Sequence, residues 1–181
     1  MSINGKIIDR FRKCVTETLT AKGILHESGS VLYSGSTTLI SGDLYLLGTN
    51  PGGEESDTIA DSMNDLHTTN NAYLDTSWEW NGSDNDPGES PLQMRVSYLL
   101  SELGYPVRKV CASNLIFVRS SRIKHLGNFD ELAKACWPVH KLILDVVRPR
   151  AIIAFGNGPS SAYRFLRNLC RGWEVEKEIP S

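Results

Sequence analysis

Residues 48–52 read Gly-Thr-Asn-Pro-Gly and close the apolar run Leu44-Tyr45-Leu46-Leu47. In an open α/β sheet, ligands bind beyond the carboxyl ends of the strands, so a polar side chain on a glycine-rich loop there stands where chemistry takes place. Asn50 is that side chain. An amide is no general base at neutral pH, but it can orient a water. The competing reading is a tight turn, in which Asn and Gly accept unusual backbone angles and Pro51 stiffens the corner.

A second amide, Asn114, lies in the apolar stretch of residues 110–118. A polar side chain in a buried strand is costly unless it is matched. Its one acceptor and two donors suit the edge of a pyrimidine, accepting from a ring N–H and donating to the adjacent carbonyl. Bonding to neighbouring backbone would satisfy it equally. A third loop, Gly156-Asn157-Gly158, follows Ala151-Ile152-Ile153-Ala154-Phe155 and leads into a helix whose N-terminus could take an anion or simply pack on the strand.

These loops require strands that end side by side. The short apolar run 44–47, bounded by turn residues, predicts a strand buried on both faces as in a parallel sheet, and residues 110–118, 151–155 and 173–179 predict three more strands. Helical spacing or capping signals predict helices over residues 7–21, 92–103, 129–147 and 160–170. Ser90-Pro91 opens the second, and Pro138 should kink or divide the third. The alternation implies right-handed crossovers and one domain, residues 1–181, built as a three-layer α/β/α sandwich around a four-stranded parallel sheet. Residues 52–89 are polar with little periodicity, which predicts a lid or a disordered stretch; Tyr73, Trp78 and Trp80 within it argue against plain disorder.

Composition excludes several classes. A formal net charge of -2 and a pI near 6.1 give no global basic field, so nucleic acid would have to be held by a local patch. Cys14, Cys111, Cys136 and Cys170 contain no C-x-x-C pair, and His26, His67, His125 and His140 have no metal-ligand spacing, so reduced and mostly buried thiols are expected and a metal site is not. The first residues do not resemble a signal peptide and no apolar run reaches membrane-spanning length, which predicts a cytoplasmic protein.

Taken in order, these motifs resemble the uracil-DNA glycosylase superfamily. Leu46-Leu47-Gly48-Thr49-Asn50-Pro51-Gly52 is similar to its first motif in the G-x-N-P-G form of the mismatch-specific and single-strand-selective branches. Ser113-Asn114-Leu115 resembles the strand with the base-reading asparagine, and residues 152–156 resemble the strand before the penultimate helix. The family's second motif is an H-P-S-type loop; Ile179-Pro180-Ser181 resembles its opening, with isoleucine where histidine is expected, and the rest of that loop is not in the sequence.

The resemblance implies a base-excision enzyme of DNA repair that hydrolyses the glycosidic bond of a flipped-out uracil or other deaminated base in single-stranded or duplex DNA. Asn50 would be catalytic, orienting the water. Gly48, Thr49, Pro51, Gly52 and Asn114 would form the base site, and loop N–H groups would stabilise the departing base. Tyr73, Trp78 or Trp80 would stack on the base, Trp78 being the one placed in the site. Arg119, with Arg122, Lys124 and His125, would meet phosphates. Glu54, Glu55, Asp57, Asp61, Asp65, Glu79, Asp84, Asp86 and Glu89 oppose DNA binding unless they fold away. They motivate an alternative, a catalytically silent protein of this fold that binds nucleotide or nucleic acid. An unrelated hydrolase or phosphate-binding domain lacks its G-x-S-x-G, P-loop or G-x-G-x-x-G motif.

Overall fold

The computed structural model describes residues 3–53, 57–64, 66 and 69–170. It is a mixed α/β fold around a three-stranded parallel sheet. The first helix, α1 (Ile3–Thr20), buries Phe11, Val15 and Leu19, which recur every fourth residue on one face. It stops where Gly23 adopts φ +71, a left-handed angle that a side chain disfavours.

Strand β1 (Leu44–Gly48) is buried along its whole length because it is the central strand. It pairs in parallel with β4 (Cys111–Asn114) on one side and with β5 (Ala151–Ala154) on the other. Alternate β1 residues enter two different cores. Tyr45 and Leu47 join the cluster that includes Phe11, Val15 and Leu19 of α1 and Cys136, Val139 and Ile143 of α5 (Phe129–Val147). Leu44 and Leu46 join Val96 and Leu100 of α4 (Pro91–Glu102) together with Tyr73. Helices therefore cover both faces of the sheet. All three strands run the same way, so Gly48, Asn114 and Ala154 stand at one end of it.

Helix α4 opens as its sequence requires: the Ser90 side chain accepts from the Gln93 N–H, Gln93 reaches back to the Ser90 N–H, and Pro91 takes the first position. Three other expectations about local structure change. Strand β4 ends at Asn114, because beyond it the chain bonds to the loop after β1 instead of forming a ladder to Val118. Pro138 does not divide α5, which is one helix from Phe129 to Val147. Pro138 lies on the exposed side of the helix, while Ala133, Cys136, Val139 and Ile143 hold the other side against the core.

Segment 52–89 is not featureless. It contains α2 (Ile59–Asn64), α3 (Ala72–Asp75) and a hairpin of β2 (Glu79–Trp80) with β3 (Ser83–Asp84). The sheet has three described strands; the expected fourth, residues 173–179, lies outside the described residues, as do Pro180 and Ser181. The last described helix, α6 (Ala162–Leu169), is capped by Ser161, whose side chain accepts from the Arg164 N–H. No helix among the described residues is long and apolar enough to cross a membrane.

Candidate functional site

The loop after β1 is built as a rigid shelf. Past the last ladder pair, the Leu115 N–H donates to the Gly48 carbonyl and the Ile116 N–H to that of Thr49, so the two loops continue side by side. Pro51 is buried, and its carbonyl accepts both the Ser120 N–H at 3.0 Å and the Asn50 Nδ2 at 2.7 Å. Asn50 Nδ2 also reaches the Ser120 carbonyl at 3.2 Å. With its amide hydrogens turned to backbone, the side chain offers Oδ1 as its acceptor, which is what orienting a water needs.

Gly48 faces Asn114 across the ladder. A Cβ on Gly48 would stand 2.0 Å from Asn114 Oδ1, so only glycine leaves room for this amide. Asn114 is 4% exposed, and its Nδ2 has no hydrogen-bond partner. A buried amide donor left unmatched costs about 1–3 kcal/mol. Asn114 shares the face of Ala112 and Leu46, the face that carries the aromatic cluster.

That cluster is Tyr33, Tyr73 and Trp78. Ring centroids lie 5.8 Å apart for Tyr33–Tyr73, 5.9 Å for Tyr33–Trp78 and 5.6 Å for Tyr73–Trp78, all tilted or edge-on. Of the three stacking candidates, the structure joins Tyr73 and Trp78, whereas Trp80 sits 53% exposed on the β2–β3 hairpin. Tyr33 was missed by sequence reasoning. Its signal was the apolar triplet Val31-Leu32-Tyr33 set between Ser30 and Ser34. The Tyr33 N–H donates to the Ala112 carbonyl and its carbonyl accepts from the Ala72 N–H, so it ties β4 to the lid. Burial raises the Tyr33 phenol above its ordinary value, and the neighbouring Arg119 charge and Asn114 amide partly offset this.

The lid is held by polar groups that the sequence left unremarked. Fully buried Gln93 donates through Nε2 to the carbonyls of Ala72 and Thr76, both at 2.7 Å. Asn71 caps the turn at the Tyr73 N–H, and Arg108 forms a two-pronged pair with Asp75. Arg108 accordingly holds the Asp75 carboxyl below its usual range. The S-x-x-Q spacing at Ser90 and Gln93 was the available clue to Gln93.

Beneath β4, His140 is fully buried. Its Nε2 bonds the Leu115 carbonyl at 3.0 Å, so Nε2 carries the hydrogen and Nδ1 accepts from the Tyr45 hydroxyl at 2.8 Å. Burial pushes the imidazole down to about 4, which keeps it neutral. Burial likewise pushes Cys111 up to about 11 and Cys136 up to about 12, while Cys14 and Cys170 are only half-buried.

Arg119 stands between the loops. Its Nη1 donates to the Gly52 carbonyl, and its Nε is buried without a partner. Arg122, Lys124 and His125 are exposed on the same loop. The third loop closes against the first: a Cβ on Gly156 would lie 3.6 Å from Thr49 Oγ1. Asp57, Asp61, Glu79, Asp84, Asp86 and Glu89 are exposed, and Glu54, Glu55 and Asp65 lie outside the described residues. Among the described residues, no group of three His, Cys, Asp or Glu is placed to hold a metal ion.

No protein-family model matches the chain, and searches of curated proteins and of solved structures return no match.

Proposed function

We propose that this protein is a uracil-DNA-glycosylase-like hydrolase that cleaves the N-glycosidic bond of uracil or another deaminated base in DNA. The observation that supports this most is the unmatched, buried Nδ2 of Asn114, beside an aromatic cluster and two residues' length from Asn50 along the paired strands. A planar base edge would satisfy the Asn114 amide, and the rings would supply its apolar contacts, worth on the order of 1–3 kcal/mol per stacked base. Asn50 Oδ1 would orient the water. Its oxygen adds to the sugar carbon as the bond to the base breaks, and its proton ends on the departing base. On this reading the protein is a three-layer α/β/α sandwich around a four-stranded parallel sheet that works on DNA in the cytoplasm, without metal or cofactor.

One part of the expected mechanism changes. The N–H groups of Leu115, Ile116, Arg119 and Ser120 are all spent on carbonyls, so on this side of the site the departing base relies on the Asn114 amide and not on loop N–H groups. Incubation of the protein with oligonucleotides carrying one deoxyuridine tests the proposal. Alkali-labile breaks at that position, and none at deoxycytidine, are expected; intact strands in both single-stranded and duplex form would refute it. The exposed acidic residues of the lid favour a second reading, a silent protein of this fold that binds nucleotide, which predicts ligand binding without turnover.

A further inference from the structure

The geometry points to Tyr45 and His140 as positioning residues for Asn50, acting through two peptide units that lie between His140 and the first loop. The inference rests on the glycosylase reading and adds to it a buried pair that touches no substrate. Its basis is a chain of hydrogen bonds that runs one way. The Tyr45 hydroxyl donates to His140 Nδ1 at 2.8 Å, and His140 Nε2 donates to the Leu115 carbonyl at 3.0 Å. The far end of that same peptide unit is the Ile116 N–H, which donates to the Thr49 carbonyl at 2.9 Å. The far end of the Thr49 unit is the Asn50 N–H. Among the described residues no peptide bond is cis, so each unit sends its C=O and its N–H opposite ways and the chain passes straight through it.

Both ends of the chain are fixed. Tyr45 and His140 are fully buried, and the imidazole is packed among Tyr45, Phe117 and Trp137 at ring-centroid distances of 6.3, 5.0 and 5.8 Å, so its Nε2–H has one direction. At the other end, Asn50 Nδ2 is tied to the carbonyls of Pro51 and Ser120, so the direction of Oδ1 follows the plane of the peptide before it. Donors aligned head to tail polarise one another, which strengthens the bond that holds that plane. A histidine that served only the core would share the bonds to Tyr45 and Leu115. It would have no influence on Asn50.

The test uses Tyr45→Phe, which removes the hydroxyl and keeps the ring. Single-turnover release of uracil from a deoxyuridine oligonucleotide should slow about fivefold, the effect of one neutral hydrogen bond, with oligonucleotide affinity unchanged. In the Asn50→Ala background the same substitution should change the rate no further, because the pair acts through Asn50. Nuclear magnetic resonance reads the coupling without turnover: the amide protons of Ile116 and Asn50 should move upfield in Tyr45→Phe. Unchanged shifts with a wild-type rate, or an equal slowing in the Asn50→Ala background, would overturn the inference and leave the glycosylase reading standing. If wild type releases no uracil, that reading falls and the two amide shifts alone decide the positioning role. Should Tyr45→Phe not fold, scalar couplings across the hydrogen bonds of the wild-type protein decide it, from His140 Nε2 to the Leu115 carbonyl carbon and from the Ile116 nitrogen to that of Thr49; both are expected, and the absence of either overturns the inference.

Discussion

Gly48 and Asn114 oppose each other at the carboxyl ends of adjacent parallel strands, so near that a Cβ on Gly48 would stand 2.0 Å from Asn114 Oδ1. The glycine of the first loop is thus the space in which the second amide sits. Gly48→Ala should displace Asn114 and lower stability by about 1–3 kcal/mol, as overpacking of a tight site does. Urea denaturation measures the stability, and uracil binding should be lost in the protein that remains folded.

Gln93 holds the lid from inside. Gln93→Leu keeps the bulk but strands the carbonyls of Ala72 and Thr76, which should cost about 2–4 kcal/mol. Because those carbonyls flank Tyr73, the near-ultraviolet circular dichroism of Tyr73 and Trp78 should weaken before the far-ultraviolet signal changes.

His140 makes stability depend on acid. Its folded-state value of about 4 lies below the 6.5 expected when unfolded, so between these values the unfolded chain binds the extra proton. Its contribution is complete above about pH 7 and is lost as pH falls from about 6.5 towards 4, by up to about 3 kcal/mol. His140→Gln should flatten this part of the pH–stability curve measured by thermal denaturation.

Arg119 straps the loop after β1 through the Gly52 carbonyl. Arg119→Ala should speed amide hydrogen exchange at Asn50, Gly52 and Gly53 and leave that of β1 unchanged. An unaltered exchange rate at those amides would remove Arg119 from loop positioning.

Much of this was legible in the sequence where local rules act alone. The capping box at Ser90, the glycine stop of α1 and the buried run of β1 all follow from residue type and spacing. Pro138 misled because local propensity ignores the packing that holds α5 together, here Ala133, Cys136, Val139 and Ile143 against the core. Asn50 and Asn114 were visible as amides on strand ends, but their roles depend on pairing between distant segments. Tyr33 reaches the site through bonds to Ala112 and Ala72, and Gln93 through bonds to residues 72 and 76, contacts that no periodicity records.

The central claim is that Asn50 orients the water which hydrolyses a glycosidic bond. The most direct measurement is the single-turnover rate of uracil release from a deoxyuridine oligonucleotide by wild type and by Asn50→Ala. Wild type should release uracil, and Asn50→Ala should be slower by about 100-fold or more, with oligonucleotide affinity retained. Equal rates for the two proteins, or no release by wild type, would contradict it.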